Sequence, residues 1–132
     1  MQSIIAGDYP LTQHFRLHQF WCPCCHSAEL SNLRRLCMRL EAVRADYGAM
    51  AIVSGYRCFL RNLEMDGQDD SRHLEGKAAD IRVWTDEDRF RLVWALLANG
   101  FKRIGIGRTI IHADIDESGP PVLWTYRQGA GT

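Results

Sequence analysis

The 132-residue chain has no run of about 18 apolar residues, so no membrane-spanning helix is expected. It has no excess of either charge, with 16 Lys and Arg against 16 Asp and Glu. The basic footprint of a nucleic-acid binder is therefore missing overall, and no nucleic-acid partner is expected. No internal repeat, low-complexity tract or linker interrupts it. The opening stretch, MQSIIAGDYPLTQHF, lacks a basic start and a continuous apolar core, so it does not read as a signal peptide. Five cysteines are an odd number, and adjacent Cys24 and Cys25 are poorly placed to bond each other. A disulfide framework is not expected, and a reducing compartment is.

What is present suits one ordinary domain. Hydrophobic residues make up 46% and charged residues 24%, enough to bury a core without staples. From Glu29 to Tyr47 the pattern is helical, with Leu30, Leu33, Leu36, Cys37, Leu40, Val43 and Tyr47 at spacings of three and four. Gly48 stops that helix. AMAIVSGYR reads as a short buried strand, and residues 58–72 as a long polar connection. AADIRVW is the next strand. Thr85 is the expected N-cap of a helix from Asp86 to Asn99, with Phe90, Val93, Trp94 and Leu97 as its apolar face. RIGIG, IIHADI and VLWTY follow as short strands. The expected fold class is α+β: a small, mostly antiparallel sheet with two main helices and long loops, in a single domain with its core at 14–126.

The stretch SRHLEGKAAD places His73 and Asp80 where a loop runs into a strand. Imidazole nitrogen and carboxylate oxygen are zinc ligands, and catalytic sites take three of them, leaving the fourth position to water. IIHADID offers His112 as the third, on a strand where Asp114 and Asp116 share its face. Isolated His and Asp residues are more often surface or core polar groups, so spacing alone leaves both readings open.

At these residues the chain resembles the zinc D-alanyl-D-alanine carboxypeptidases and related murein peptidases. Their pattern, Ser-x-His-x-x-Gly-x-Ala-x-Asp followed by a distant His, stands here as Ser71, His73, Gly76, Ala78, Asp80 and His112. SGYR (Ser54 to Arg57), GIG before the last histidine, Trp124 after it and the entry HQFWCPCC also fit. The resemblance covers roughly residues 14–126. It implies His73, Asp80 and His112 as ligands of Zn2+, Arg57 as a catalytic group facing the substrate carbonyl or carboxylate, and Ser71 as a substrate-contacting hydroxyl. Gly76 and Ala78 would be structural. It also implies hydrolysis of amide bonds in peptidoglycan stem peptides or cross-links, by a carboxypeptidase or an endopeptidase. With no leader apparent, the expectation is a monomer made in the cytoplasm that acts on the cell wall after release or delivery, as a phage or prophage protein would.

One position departs from the pattern. The family carries a carboxylate three residues before the final histidine, and here that position is Thr109. Asp114 is the substitute candidate for general base, or else a partner that orients His112. Asp116 and Glu75 are weaker alternatives. The rival function is a non-catalytic zinc-containing module that binds the wall or builds a virion. Four other features admit two readings each. CPCCH, with Cys37 and Cys58 as further thiols, could hold a second metal, but buried thiols that pack the N-terminal segment are the favoured reading. EMDGQDD lacks the spacing of a calcium loop and reads as solvated. His14 and His18, four apart, read as a chance pairing rather than a metal pair. Trp124 and Tyr126 would line a groove or sit in the core.

Overall fold

The computed structural model describes residues 3–4, 7–64 and 71–126. In chain order the elements are β1 (Ser3–Ile4), β2 (Ser27–Ala28), α1 (Leu30–Tyr47), β3 (Ile52–Ser54), α2 (Phe59–Glu64), β4 (Ala78–Arg82), α3 (Asp86–Ala98), β5 (Arg103–Ile106), β6 (Ile110–Asp114) and β7 (Val122–Thr125). β1 and β2 form a small antiparallel pair, and the other five strands form one sheet in the order β3-β4-β6-β5-β7. Three of its pairings are antiparallel; β7 runs parallel to β5. The architecture is α+β, as the spacing of helical and strand patterns predicts.

The two long helices form where periodicity places them. α1 buries Leu33, Leu36, Cys37, Leu40 and Val43, and Gly48 caps it, its N–H bonding the Arg44 carbonyl. α3 starts at Thr85, whose hydroxyl accepts from the Asp88 N–H at 3.0 Å. Its buried face differs from the expected one. Leu92, Ala95 and Leu96 are buried, whereas Phe90, Trp94 and Leu97 are 71%, 56% and 53% exposed. Both stripes have helical spacing; packing against α1 and β6 selects the one with the smaller side chains.

Two connections also differ from the sequence expectation. β3 is an edge strand with Val53 exposed, not a buried strand. The stretch expected to be a polar connection contains α2, and the acidic run from residue 65 to 70 lies outside the described residues.

Alternation gives the sheet two unlike faces. Ala79, Ile81, Ile104, Ile111 and Ala113 join α1 and α3 residues in the core. The opposite face carries a row with one residue from each strand: Ser54 beside Asp80, Asp80 beside His112, His112 beside Gly105, and Gly105 beside Trp124. At Gly105 a Cβ would stand 2.6 Å from the Trp124 indole, so glycine lets that ring lie flat across the row. We predict that Gly105→Ala displaces Trp124 and destabilises the fold by about 1–3 kcal/mol. Thermal melting and tryptophan fluorescence check this; an unchanged spectrum and melting point would refute it.

Candidate metal centre

The row across the sheet sets the site. Asp80 and His112 are direct cross-strand partners on β4 and β6. His73 comes from a 3₁₀ turn, Arg72–Glu75, that leads into β4. Ser71 starts this turn, its hydroxyl accepting from the His73 N–H at 3.2 Å, and Gly76 ends it in the left-handed region at φ 71°. Ala78, the small residue that follows, is fully buried.

These elements bring His73, Asp80 and His112 together, with one donor atom of each within 4.8 Å of the others. His73 Nε2 is 3.3 Å and His112 Nδ1 is 3.2 Å from the same oxygen, Oδ1 of Asp80. A tetrahedral cation with bonds of about 2.0–2.1 Å needs ligand–ligand edges of about 3.3–3.4 Å. The outer ring atoms decide the proton positions. His73 Nδ1 lies 2.7 Å from the Gly55 carbonyl, which can only accept. His112 Nε2 lies 2.7 Å from the Asp114 carboxylate. Each ring donates outward, so each neutral imidazole aims a lone pair at Asp80 Oδ1. Two lone pairs and a carboxylate oxygen converging on one point form a donor set that fits a divalent cation.

The electrostatics agree. Burial opposes charge on Asp80, yet the flanking His73 and His112 rings outweigh it and hold the carboxyl well below its ordinary range, which keeps it an anionic ligand. Burial likewise opposes charge on His112, but Asp114 and Asp80 together pull its pKa above the usual value, so a proton on Nδ1 competes with a cation for the same inward lone pair. The pocket favours positive charge.

The surrounding groups fix the ligands. Arg57, 8% exposed, donates from Nη2 to Asp80 Oδ2 at 3.1 Å, from Nε to Ser54 at 3.2 Å and from Nη1 to Asn62 at 3.3 Å. Its backbone N–H bonds the His73 carbonyl. Burial lowers its pKa, and the Asp80 charge opposes that shift. Asp114 is 1% exposed. Its Oδ2 meets His112, while its Oδ1 accepts from Arg103 Nε at 2.9 Å and from the Asp116 N–H at 3.1 Å. Asp116 is gripped by Nε and Nη2 of Arg72, which holds its carboxyl down at about 2. Glu75 pairs with Lys77 at 3.0 Å. Trp124 stands against His112, with ring centroids 5.2 Å apart, and Tyr126 follows it.

Arg103 and Asn62 carried no sequence signal as site residues. Strand register, fixed only in the folded sheet, places Arg103 opposite Asp114. His14 and His18 bond separate carboxylates, Glu41 and Asp8, and make no pair.

We predict that Asp80→Ala abolishes metal loading at this centre and, by leaving Arg57 buried without its carboxylate, costs about 3 kcal/mol of stability. Asp114→Asn should weaken metal affinity by about 10–100-fold while keeping the fold. Elemental analysis and competition with a chelator measure both; full metal content in Asp80→Ala would remove this site from consideration.

No curated protein matches the chain. The family model described as Peptidase M15 matches residues 13–116, which take in the whole five-stranded sheet except β7, together with all three converging side chains. Two imidazoles and a carboxylate poised for a cation are what a metal-dependent peptidase requires, and the chain belongs to the M15 family of metallopeptidases.

Proposed function

We propose that the chain is a zinc-dependent peptidase that hydrolyses amide bonds in peptidoglycan stem peptides or cross-links. The observation that carries this reading is the triangle of His73 Nε2, Asp80 Oδ1 and His112 Nδ1, whose edges of 3.3 and 3.2 Å suit tetrahedral zinc with one position left over. His73, Asp80 and His112 would hold the ion, which when bound supplies Lewis-acid polarisation of the scissile carbonyl and a lower pKa for water.

The protein's own groups have distinct parts. Arg57 keeps Asp80 in place with one Nη2 proton. The guanidinium carries five N–H groups, and protons left over from its three side-chain bonds would meet the developing oxyanion. Ser71 accepts the His73 N–H through a lone pair and keeps its own O–H proton to donate to a peptide. It opens onto a cavity of about 350 Å³ beside the 3₁₀ turn that carries His73, which Arg72, Leu74, Glu75, Lys77 and Asp116 also line. Asp114 has both oxygens occupied and is sealed behind His112, which favours orienting over proton transfer. Asp116 and Glu75 are each paired with a cation, which disfavours both as base.

That leaves Thr109 as the observation favouring the second reading, a zinc-containing module that binds wall peptides or builds a virion without cutting. An arginine that keeps N–H groups beyond its three side-chain bonds and an intact ligand triangle favour the enzyme. No helix among the described residues is long and apolar enough to cross a membrane. The proposed site of action is the cell wall, reached by release or phage-type delivery, with the protein working as a monomer.

Incubation with purified peptidoglycan separates the two readings. The peptidase should release soluble amines, stop when a chelator is added and recover with zinc; binding without release would select the module. At saturating zinc, Asp114→Asn should retain turnover within about tenfold if Asp114 only orients His112. A loss beyond about a hundredfold would make it the base.

A further inference from the structure

The favoured sequence reading of the cysteine cluster, thiols buried to pack the N-terminal segment, does not hold. Cys22 is buried, but Cys24 and Cys25 are exposed, and Cys58, which follows α1 and β3 in the chain, joins them. Cys37 stays apart in the core. The Sγ atoms of Cys22 and Cys24 are 3.3 Å apart, those of Cys22 and Cys58 3.5 Å, and those of Cys24 and Cys58 3.4 Å. With Cys25, the four sulfurs all lie within 4.8 Å of one another.

Thiols that merely pack have no reason to converge four at a time, because S–H is a weak donor and a poor acceptor. A disulfide would draw one pair to about 2.05 Å and leave the others apart. Here three sulfurs make a near-equilateral triangle with a fourth beside it. A tetrathiolate ion with bonds of about 2.3 Å has edges of about 3.8 Å, close to this triangle. The backbone is shaped to match. The His26 N–H bonds the Cys22 carbonyl at 2.7 Å and the Cys22 N–H bonds the Ser27 carbonyl at 2.8 Å, folding residues 22–27 into a knuckle. The Arg61 N–H points at Cys58 Sγ from 3.5 Å, a contact that favours thiolate. His26, the other ligand type in the knuckle, is turned away and stacks on Trp21 at 4.0 Å.

We infer that Cys22, Cys24, Cys25 and Cys58 form a second metal site, a closed tetrathiolate for a zinc-class divalent ion. With four protein ligands it has no open position, so its role is structural. Its place in the fold gives that role content. Cys58 follows Arg57 directly, and the same short segment supplies the Gly55 carbonyl to His73. The Tyr56 N–H bonds the Phe20 carbonyl at 2.7 Å, so the knuckle and this segment already run side by side. The ion ties them together and holds Gly55 and Arg57 against the first centre.

The test uses the full chain, purified under reductant and loaded with Co2+, in three forms: native, Asp80→Ala, and the double variant Cys24→Ser with Cys25→Ser. Native protein should hold two equivalents of metal. Asp80→Ala should hold one and keep intense thiolate-to-cobalt charge-transfer absorption. The double variant should lose that absorption, which the imidazole–carboxylate centre cannot produce. Because Asp80→Ala lacks the first centre, failure of that centre and failure of this one give different results. Absence of charge-transfer absorption in cobalt-loaded native and Asp80→Ala protein would overturn the inference. So would a disulfide among these cysteines, seen as a two-hydrogen mass loss. Should the double variant not fold, the first two forms still decide.

Discussion

The pairing of Asp80 with His112 across β4 and β6 is the constraint on which the rest of the site depends. One register places a carboxylate next to an imidazole, a glycine on the far side of that imidazole and an indole over the glycine. Because side chains alternate between faces, a slip of one residue would turn Asp80 and His112 into the core and bring Ile81 and Ile111 out. The hydrophobic face therefore polices the functional face. Ile81, Ile111 and Ala113 hold the register by being buried, and the polar row inherits its alignment.

Around that row the protein places supports rather than additional ligands. His73 is held by a backbone carbonyl, His112 by Asp114, and Asp80 by Arg57. Asp114 is in turn held by Arg103, whose guanidinium lies 5.4 Å from the Trp124 ring centre. Each ligand thus has its free donor atom aimed inward and its other polar atom engaged. Such an arrangement lowers the reorganisation needed when a cation enters, because ring orientation and tautomer are set beforehand. The thiol cluster extends the same logic outward, since its fourth sulfur is one residue from Arg57.

Sequence and structure part company where two patterns were equally regular. α3 offers two apolar stripes, and the one with Phe90, Trp94 and Leu97 has the larger side chains. Only the depth available between α3, α1 and β6 decides that Leu92, Ala95 and Leu96 go inside. β7 reads as another antiparallel strand, yet it lies parallel to β5 because the connection from Asp114 crosses β5 before returning. The cysteines show the same limit. Cys58 is 34 residues from Cys24, too far for any local rule to join them.

The sequence by itself determined what depends on local chemistry. This covers the helices that cap at Thr85 and end at Gly48, the tight turn at Gly76, the α+β class, and the motif from Ser71 to Asp80 whose spacing marks the family. Tertiary structure alone decided what depends on convergence. It brought His112 to Asp80, turned Asp114 from a free carboxylate into a partner occupied at both oxygens, and gathered four thiols from two segments. The physical reason is that ligand geometry and proton position are set by groups distant along the chain. Their meeting is fixed by strand register and by which face is buried, and neither is a property of any short stretch of residues.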